Sequence, residues 1–474
     1  MRKIKQAGVV ISLVGAAGLS GAALRPNIIY VLTDDLGWGD AGFNGQQKIR
    51  TPVMDDLARR GAVFENYYSA APVCGPARTS LMTGLHTGHA QIRGNPRWST
   101  TSQAQSLAEG TVTVATELQR AGYTTLCAGK WGLNDNLAIN TGHPLKQGFD
   151  EFLGFNTHGE AHFHWPDFIW HNTEKVDLGG KSNWLEKKTY ADDLFAEKAV
   201  GFIRAAEGKP FFIYLNFIIP HYGITVPEDS QFPYRNLGWP KRMMPQSGHY
   251  HHDPEGNVSY AGMVSRVDAY MKQLVDVLRE KGLEENTLII FSSDNGHQYD
   301  DGFFDSNGPF SGGKCSLREG GIRMPAFAYW PGTVPAGSRI SHICAFWDIL
   351  PTFCELAGAQ PSGKTDGISF VPALTGNSKE QRTHEYLYWE FNEREGPMQA
   401  VRFGEWKAIR LWDLNSGRMS PVQLYRLDGD LAEEEDLARK FPERVEQALL
   451  YLAGARTEHP LYPLEYLSSA AKPK

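Results

Sequence analysis

A cysteine, a proline and an arginine at alternate positions form the pattern in this chain that most suggests chemistry: Cys74, Pro76 and Arg78. Pro76 lacks a backbone N–H and fixes φ, which suits the first turn of a helix. Cys74 would then lie at a helix N-terminus, where free N–H groups and the helix dipole favour an anion. Arg78 could bind a tetrahedral oxyanion through its forked guanidinium group. The alternative is a buried cysteine in a loop, which is the commoner fate of a single cysteine.

Acidic and amide side chains follow two apolar runs that are typical of buried parallel strands. One run ends in Asp34 and Asp35, and the other ends in Asp294 and Asn295. Oxygen-only ligands suit a hard cation, Ca²⁺ or Mg²⁺. Taken alone, adjacent acids after a strand more often form a turn or a helix cap. Two such pairs in one chain with the Cys74 pattern favour a metal site instead, because ligands of parallel sheets bind beyond the carboxyl ends of the strands.

The segment Cys74-Gly-Pro-Ala-Arg78, continued by Leu81-Met-Thr-Gly84, resembles the signature of the type I sulfatases. The resemblance implies that Cys74 is oxidised to Cα-formylglycine by a separate formylglycine-generating or anaerobic sulfatase-maturating enzyme. It also implies that residue 74 and the two polar pairs bind one Ca²⁺, and that the fold is alkaline-phosphatase-like. The implied activity is hydrolysis of a sulfate monoester.

Three further residues match positions of this family. Lys130 stands in Gly-Lys-Trp after a strand, and Lys314 stands in Gly-Lys ahead of Glu-Gly-Gly-Ile-Arg-Met-Pro, where the family's lysines contact sulfate. His221 matches a histidine beside the leaving group. The resemblance implies that the lysines and Arg78 stabilise anionic oxygens while His221 protonates the leaving alcohol. Taken alone, the lysines would be solvated charges and His221 a structural residue.

Gly132 departs from the family pattern, because most relatives carry a histidine there that contacts the formylglycine hydroxyl. Three histidines of one later loop could replace it: His158, His162 and His164. We expect His162 to be the base that regenerates the aldehyde. The alternative is that all three histidines hold substrate or have structural roles.

The substrate prediction depends on planar donors and aromatic rings that suit a sugar. Arg93 and Asn95 follow the signature helix, and His158 and His164 lie in a loop rich in His, Trp and Asn. The resemblance to bacterial carbohydrate sulfatases implies a sulfated saccharide of the galactose or N-acetylgalactosamine type. Two other classes stay open: a phosphoester or phosphonate hydrolase of the same superfamily, and a non-catalytic sugar-binding relative.

Composition and charge are those of an ordinary globular protein. The 474 residues include 47 Lys and Arg and 54 Asp and Glu, a formal net charge of −7. Neither this sign nor any basic run favours nucleic acid as a partner. Residues 1–24 combine a basic start, a short apolar run and small residues, which predicts a secretory signal peptide. We therefore expect an exported protein, periplasmic or secreted, without a stable membrane anchor.

Strands and helices alternate over much of the chain, which predicts an α/β domain with a large, mainly parallel or mixed sheet between helices. Alternating apolar residues after position 385 predict a smaller antiparallel sheet. The expected domains are a signal peptide at 1–24, a catalytic domain at 25–375 and a C-terminal α+β subdomain at 376–474.

Three finer predictions concern the connections. Ser341–Gly358 is expected to form one helix that carries both Cys344 and Cys354. Residues 359–380 are expected to be a linker, and residues 156–189 a long irregular loop. The cysteines other than Cys74 are expected to be mostly free, buried thiols.

Overall fold

The computed structural model describes residues 25–95, 106–134, 140–245, 250–393 and 396–464. Within these residues the main sheet has ten strands. In chain order they are β1 (Asn27–Thr33), β2 (Ala62–Tyr68), β3 (Thr124–Lys130), β4 (Glu151–Phe155), β5 (Phe168–His171), β6 (Glu174–Asp177), β7 (Phe211–Asn216), β8 (Thr287–Ser293), β9 (Ala326–Tyr329) and β10 (Ser338–Ala345).

The centre of this sheet is parallel. The strand order is β10-β2-β9-β8-β1-β7-β3-β4-β5-β6. Strands β8, β1, β7, β3 and β4 pair in parallel, as do β10 and β2. The remaining pairs, which involve β9, β5 and β6, are antiparallel. The prediction of a large, mainly parallel sheet is confirmed.

Helices cover both faces of the sheet. Along β1, Ile28 and Tyr30 belong to one core while Ile29 and Val31 belong to the other, as expected for a strand that is buried on both faces. The described helices are α1 (Pro52–Arg60), α2 (Cys74–Thr83), α3 (Val114–Arg120), α4 (Lys181–Glu186), α5 (Ala191–Ala205), α6 (Glu228–Gln231), α7 (Gly256–Glu280), α8 (Glu319–Ile322), α9 (Ile349–Leu356), α10 (Val371–Leu374) and α11 (Pro442–Gly454).

A second, antiparallel sheet lies near the C-terminus, as predicted. One face of it joins the main core through Trp389 and Ile409, while Val401 on the other face packs with Leu452 of α11. The Trp389 indole also donates a hydrogen bond to the carbonyl of Ser69 at 2.8 Å. The domain boundary near residue 375 stays a prediction. The strands are β11 (Leu387–Glu393), β12 (Gly396–Phe403), β13 (Trp406–Asp413), β14 (Arg418–Met419) and β15 (Gln423–Arg426).

The prediction of one helix over Ser341–Gly358 is wrong. The first part of that segment belongs to β10, and α9 begins only at Ile349. Between them, the Asp348 carboxylate accepts a hydrogen bond from the backbone N–H of Ala345 at 2.8 Å and fixes the turn. Cys344 and Cys354 therefore lie on different elements.

The predictions of a linker at residues 359–380 and of an irregular loop at residues 156–189 are also wrong. Within residues 359–380, Phe370 and Leu374 are buried in the main core, and the Thr365 hydroxyl donates to the carbonyl of Gly84 at 2.8 Å. Residues 156–189 contain β5, β6 and α4. These elements have only four to six residues each, which is too short for a clear hydrophobic period.

Cys127, Cys344 and Cys354 are buried free thiols, as expected, and Cys315 is half-buried. In the described parts of the chain, every helix is too short or too polar to cross a bilayer. The predicted signal peptide lies outside the described residues.

Candidate active site

The parallel strands bring the predicted site residues to one edge of the sheet. Asp34 and Asp35 follow β1, Asp294 and Asn295 follow β8, and Lys130 is the last residue of β3. Since β8, β1, β7 and β3 are consecutive parallel neighbours, their carboxyl ends meet at the same edge. The polar residues at these strand ends therefore lie together, as the sequence predicts.

Close packing of β3 against β7 requires a glycine before Lys130. Gly129 has φ of +109°, and a β-carbon there would lie 1.8 Å from the carbonyl oxygen of Asn216. A residue with a side chain would push the two strands apart just below the site. Gly129 thus sets the position of Lys130.

Four residues form what we call the oxygen cluster: Asp34, Asp35, Asp294 and Asn295. All are buried, with at most 1% of their surface exposed. The backbone N–H of Asp35 donates to Asp294 Oδ1 at 3.2 Å, and Asn295 Nδ2 donates to Asp35 Oδ1 at 2.7 Å. Asp35 itself has φ of 64°, a left-handed conformation that is uncommon outside glycine and is concentrated at functional sites.

The oxygen cluster fits a hard divalent cation. Oδ1 of Asn295 is buried and has no hydrogen-bond partner among the described residues, which is costly for an amide oxygen. One ligand atom from each of Asp34, Asp35, Cys74 and His221 lies within 4.8 Å of the others. Carboxylate and amide oxygens are the ligands that Ca²⁺ and Mg²⁺ prefer.

Cys74 is the first residue of α2, as predicted, and is completely buried. Its Sγ lies 3.2 Å from Asp34 Oδ1. Burial, and next the negative charge of Asp34, raise the pKa of the Cys74 thiol well above its usual range. The unmodified thiol is therefore held neutral and is a poor nucleophile.

Three basic residues, Arg78, Lys130 and Lys314, surround the oxygen cluster, and we call them the cation triad. Arg78 binds Asp294 Oδ2 through Nε at 3.0 Å and through Nη2 at 2.8 Å. Lys130 contacts the carboxylate of Asp34, and Lys314 Nζ lies 2.6 Å from Asp35 Oδ2. The structure thus brings together all three cations that the sequence suggested.

The charges of the two clusters shift one another's pKa values. Burial alone would raise the pKa of Asp34, but the charges of Lys130, His221, Arg78 and Lys314 lower it well below its usual range. Burial, and next the charge of Asp34, raise the pKa of Asp294 to about 7. Unequal pKa values of this kind are expected where several carboxylates share one buried site.

His221 faces the same cluster. Its Nδ1 lies 3.0 Å from the carbonyl oxygen of Tyr222, to which it donates, and its Nε2 lies 3.6 Å from Asp35 Oδ2. This tautomer leaves Nε2 as the atom that faces the site. Burial, and next the charge of Lys314, lower the pKa of His221 well below its usual range.

The loop histidines occupy different places. The ring of His162 is stacked on that of His221, with centroids 5.1 Å apart and planes at 8°. His158 meets His162 edge-on at 5.2 Å. His164 is stacked on Tyr190, 6.0 Å away, in the second core. Of the three loop histidines, His162 stacks on His221 and His158 contacts His162, so these two rings continue the aromatic surface of His221.

Arg93 and Asn95 contact other parts of the protein. The guanidinium group of Arg93 is buried and binds Glu390 of β11 at 3.0 Å. Asn95 Oδ1 accepts a hydrogen bond from the backbone N–H of Gly75 at 2.8 Å, next to Cys74. A substrate contact by Arg93 stays a prediction that this geometry does not favour, whereas Asn95 lies at the N-terminus of α2.

Sequence reasoning missed Tyr250. Its ring centroid lies 5.3 Å from that of His162 and 6.1 Å from that of His221. Burial raises the pKa of its hydroxyl, although the charges of Lys314 and Lys130 act to lower it. No motif surrounds this tyrosine in the sequence, so only its place in the fold reveals it.

Comparison with known proteins decides among the families of this fold. The model of a family described as Sulfatase matches residues 26–359, and that of N-sulphoglucosamine sulphohydrolase, C-terminal, matches residues 312–448. The chain belongs to the sulfatase family. The resemblance carried by the Cys74 segment is therefore confirmed, and the activity that follows is hydrolysis of a sulfuric ester.

Individual relatives agree with this assignment. The sulfatase is 32% identical to N-acetylgalactosamine-6-sulfatase of Canis lupus familiaris over 424 residues, which cover 84% of this chain and 74% of that protein. It is 30% identical to arylsulfatase G of Rattus norvegicus over 472 residues, 89% of this chain and 84% of that protein. The crystal structure of Ps i-CgsB in complex with k-i-k-neocarrahexaose matches with a TM-score of 0.76 at 28% identity, covering 94% of this chain and 95% of that one.

Proposed function

We propose that this sulfatase removes a sulfate monoester from a saccharide, with residue 74 as the site of attack on sulfur. The observation that carries the proposal is the position of Cys74, 3.2 Å from Asp34 Oδ1 at the start of α2. A cysteine so buried and so near a carboxylate is unsuited to act as a thiolate. Oxidised to formylglycine and hydrated by one water, the residue would be a geminal diol: one hydroxyl would attack sulfur in place of a thiolate, and the other would stay on the carbon.

The oxygen cluster would hold one Ca²⁺ together with residue 74. When bound, such a cation supplies Lewis-acid polarisation and orients the reacting oxygens. The three carboxylates of the cluster and the cation triad have opposite and equal formal charges. A divalent ion would therefore leave the site with a net charge of about +2, which attracts an anionic ester.

The cation triad would bind the oxygens of the ester sulfate. Arg78 is held rigidly by two contacts with Asp294 and by a third, at 2.9 Å, between Nη1 and the Lys130 carbonyl. Preorganised donors of this kind stabilise developing negative charge without reorganisation. Lys130 and Lys314 would add point charges on either side.

His221 would donate a proton to the leaving alcohol. Its Nδ1 donates to the Tyr222 carbonyl, so the ring is fixed with Nε2 facing the site. Because burial, and next the charge of Lys314, lower the pKa of His221, Nε2 of the neutral ring carries no proton. Nε2 would therefore first accept the proton of the attacking hydroxyl on residue 74 and then pass it to the alcohol. His221 has only 2% of its surface exposed, which limits exchange of that proton with bulk water.

The saccharide class is supported by the names of the relatives and by the walls of the site. One relative is named for N-acetylgalactosamine-6-sulfate and one neighbour was crystallised with a neocarrahexaose. Tyr250 and the stacked pair of His162 and His221 offer aromatic faces, which suit the apolar face of a galactose-type ring. We also propose that the signal peptide at 1–24 directs export of the chain, and that a separate maturation enzyme converts Cys74 to formylglycine.

The test compares sulfate and phosphate esters of the same sugar and of the same aryl alcohol, with protein co-expressed with a maturation enzyme. We expect the sulfate esters to be hydrolysed at least tenfold faster in kcat/KM, and Cys74→Ala to abolish turnover with the fold intact by circular dichroism. Faster hydrolysis of the phosphate esters would favour the phosphohydrolase alternative. Binding of sulfated sugar without turnover would favour the non-catalytic one.

A further inference from the structure

Gly132 is bordered by a histidine from another loop and by the side chain of Lys130. A β-carbon built on Gly132 would lie 3.8 Å from Nδ1 of His158 and 3.9 Å from Cε of Lys130. His158 Nδ1 and the alkyl chain of Lys130 thus border the same position, and the ammonium group of Lys130 contacts Asp34. The imidazole comes from the loop after β4, yet its Nδ1 lies at van der Waals distance from the place of a β-carbon at position 132.

One nitrogen of this imidazole has no partner. Nδ1 of His158 is buried and makes no hydrogen bond with any described residue. Buried polar nitrogens are normally satisfied, and an exception calls for a strain, ligand or catalytic explanation. The edge-on contact with His162 holds the ring in place without engaging that nitrogen.

The charges around His158 favour the neutral ring. The groups that act on it are Lys130, His162, Asp34 and His221. Burial, and next the positive charge of Lys130, lower the pKa of His158 well below its usual range. A neutral imidazole with a free Nδ1 is a proton acceptor, and Nε2 carries the proton in that tautomer.

The other two loop histidines are placed less well for a role beside Lys130. His162 is stacked on His221, on the side of the site where Asp35 lies. His164 is packed against Tyr190 in the second core, and burial lowers its pKa to about 4. Only His158 of the three borders the space between Gly132 and Lys130.

We propose that His158, rather than His162, is the base that accepts a proton from residue 74 when sulfate is released. This inference rests on the proposed function. In the step, the carbon–oxygen bond to sulfate breaks with its electron pair on sulfate. The proton of the hydroxyl that stays on residue 74 passes to His158 Nδ1, and the carbonyl of the aldehyde forms again.

The test compares His158→Ala and His158→Gln with His162→Ala and with a control, His171→Ala, which removes a half-exposed histidine paired with Glu151. Removing a general base costs roughly 10²–10⁴-fold in kcat, and we expect that loss in both His158 variants with KM within about threefold of the parent. Each His158 variant should release one equivalent of alcohol, then stall with a sulfate group on the peptide that contains residue 74. His162→Ala and His171→Ala should not stall in this way.

A second experiment moves the imidazole from position 158 to position 132 and tests whether the base must lie at this place in the site. Gly132 has φ of +72°, a conformation in which His and Asn are both enriched. Gly132→His combined with His158→Ala should regain at least tenfold in kcat over His158→Ala alone, whereas Gly132→Asn with His158→Ala should not. Added free imidazole should likewise speed the stalled His158→Ala enzyme.

A binding measurement completes the test without turnover. In protein with unmodified Cys74, we expect the Kd for inorganic sulfate to change less than about threefold in His158→Ala, because a neutral acceptor does not bind the anion. Lys130→Met should weaken the same Kd at least tenfold. A weaker Kd in His158→Ala, an unchanged kcat, or a stall in His162→Ala instead would overturn the inference. An inactive parent would overturn the proposed function itself.

Discussion

At the scale of single residues, the unusual feature is how many charges share one buried site. The oxygen cluster and the cation triad are nearly excluded from solvent, and only Lys314 is partly exposed. Charges are buried in proteins only when they are paired or bind metal. Here each cation already contacts a carboxylate, whereas the amide oxygen of Asn295 has no hydrogen-bond partner among the described residues.

This leads to a prediction about metal removal. Chelation should abolish activity and lower the thermal midpoint, because a ligand that binds only the folded state at about 1,000 times its Kd stabilises by roughly 4 kcal/mol. Readdition of Ca²⁺ should restore both. Differential scanning calorimetry and an ester assay on the same samples measure the two effects.

A pair of variants provides the control for this prediction. Asn295→Ala should weaken Ca²⁺ binding, whereas Asn286→Ala, at an exposed position before β8, should not. Chelated protein that elemental analysis shows to be metal-free and that keeps full activity would contradict the assignment of the oxygen cluster.

At the scale of elements, the C-terminal sheet supports the loop that carries Lys314. Lys407 of β13 is fully buried and binds Glu319 of α8 at 2.8 Å and Glu433 at 3.0 Å. Glu433 in turn accepts a hydrogen bond from the backbone N–H of Glu319 at 2.7 Å. Burial alone would raise the pKa of Glu319, but Lys407, Arg323 and Arg402 lower it to about 2. The glutamate is therefore ionised and depends on its partners.

Lys407→Met should destabilise the protein by about 3–5 kcal/mol, because removing one partner of a buried pair leaves an uncompensated charge. It should also raise KM, because Lys407 helps to hold the loop from Ser311 to Arg323, and this loop positions Lys314. Urea unfolding and steady-state kinetics measure the two changes. Lys440→Met, at an exposed position, is the matched control and should change stability by less than about 0.5 kcal/mol. A Lys407→Met protein as stable as this control would contradict the proposed support.

Some of these elements and site residues could be predicted from the sequence, and others could not. The positions of the acids and of Lys130 at strand ends could be predicted, because the apolar run of each strand is visible in the local sequence. Ligands of parallel sheets bind beyond the carboxyl ends of such strands. The Lys407 network and Tyr250 could not be predicted, since each depends on contacts between residues far apart in the chain. The helix expected over Ser341–Gly358 failed for a related reason. Pairing with β2 makes its first part a strand, and tertiary pairing overrides local propensity.

At the scale of the whole molecule, the folded state encloses Cys74, the proposed site of attack on sulfur. Cys74 has no exposed surface and follows Val73, which is also buried in the main core. The maturation enzyme that we propose would have to bind the segment around Cys74 before α2 packs into the core. Oxidation of Cys74 would therefore precede folding, and folded protein that still carries the thiol would stay unmodified.

If only chains whose residue 74 is an aldehyde turn over, the aldehyde fraction of a preparation should determine its rate. Preparations that differ in maturation are analysed by peptide mass spectrometry for the aldehyde fraction at residue 74, and kcat per chain is measured on a sulfate ester. We expect kcat to rise in proportion to that fraction and to extrapolate to zero when every chain carries Cys74. A preparation with only the unmodified thiol at residue 74 and full turnover would contradict it.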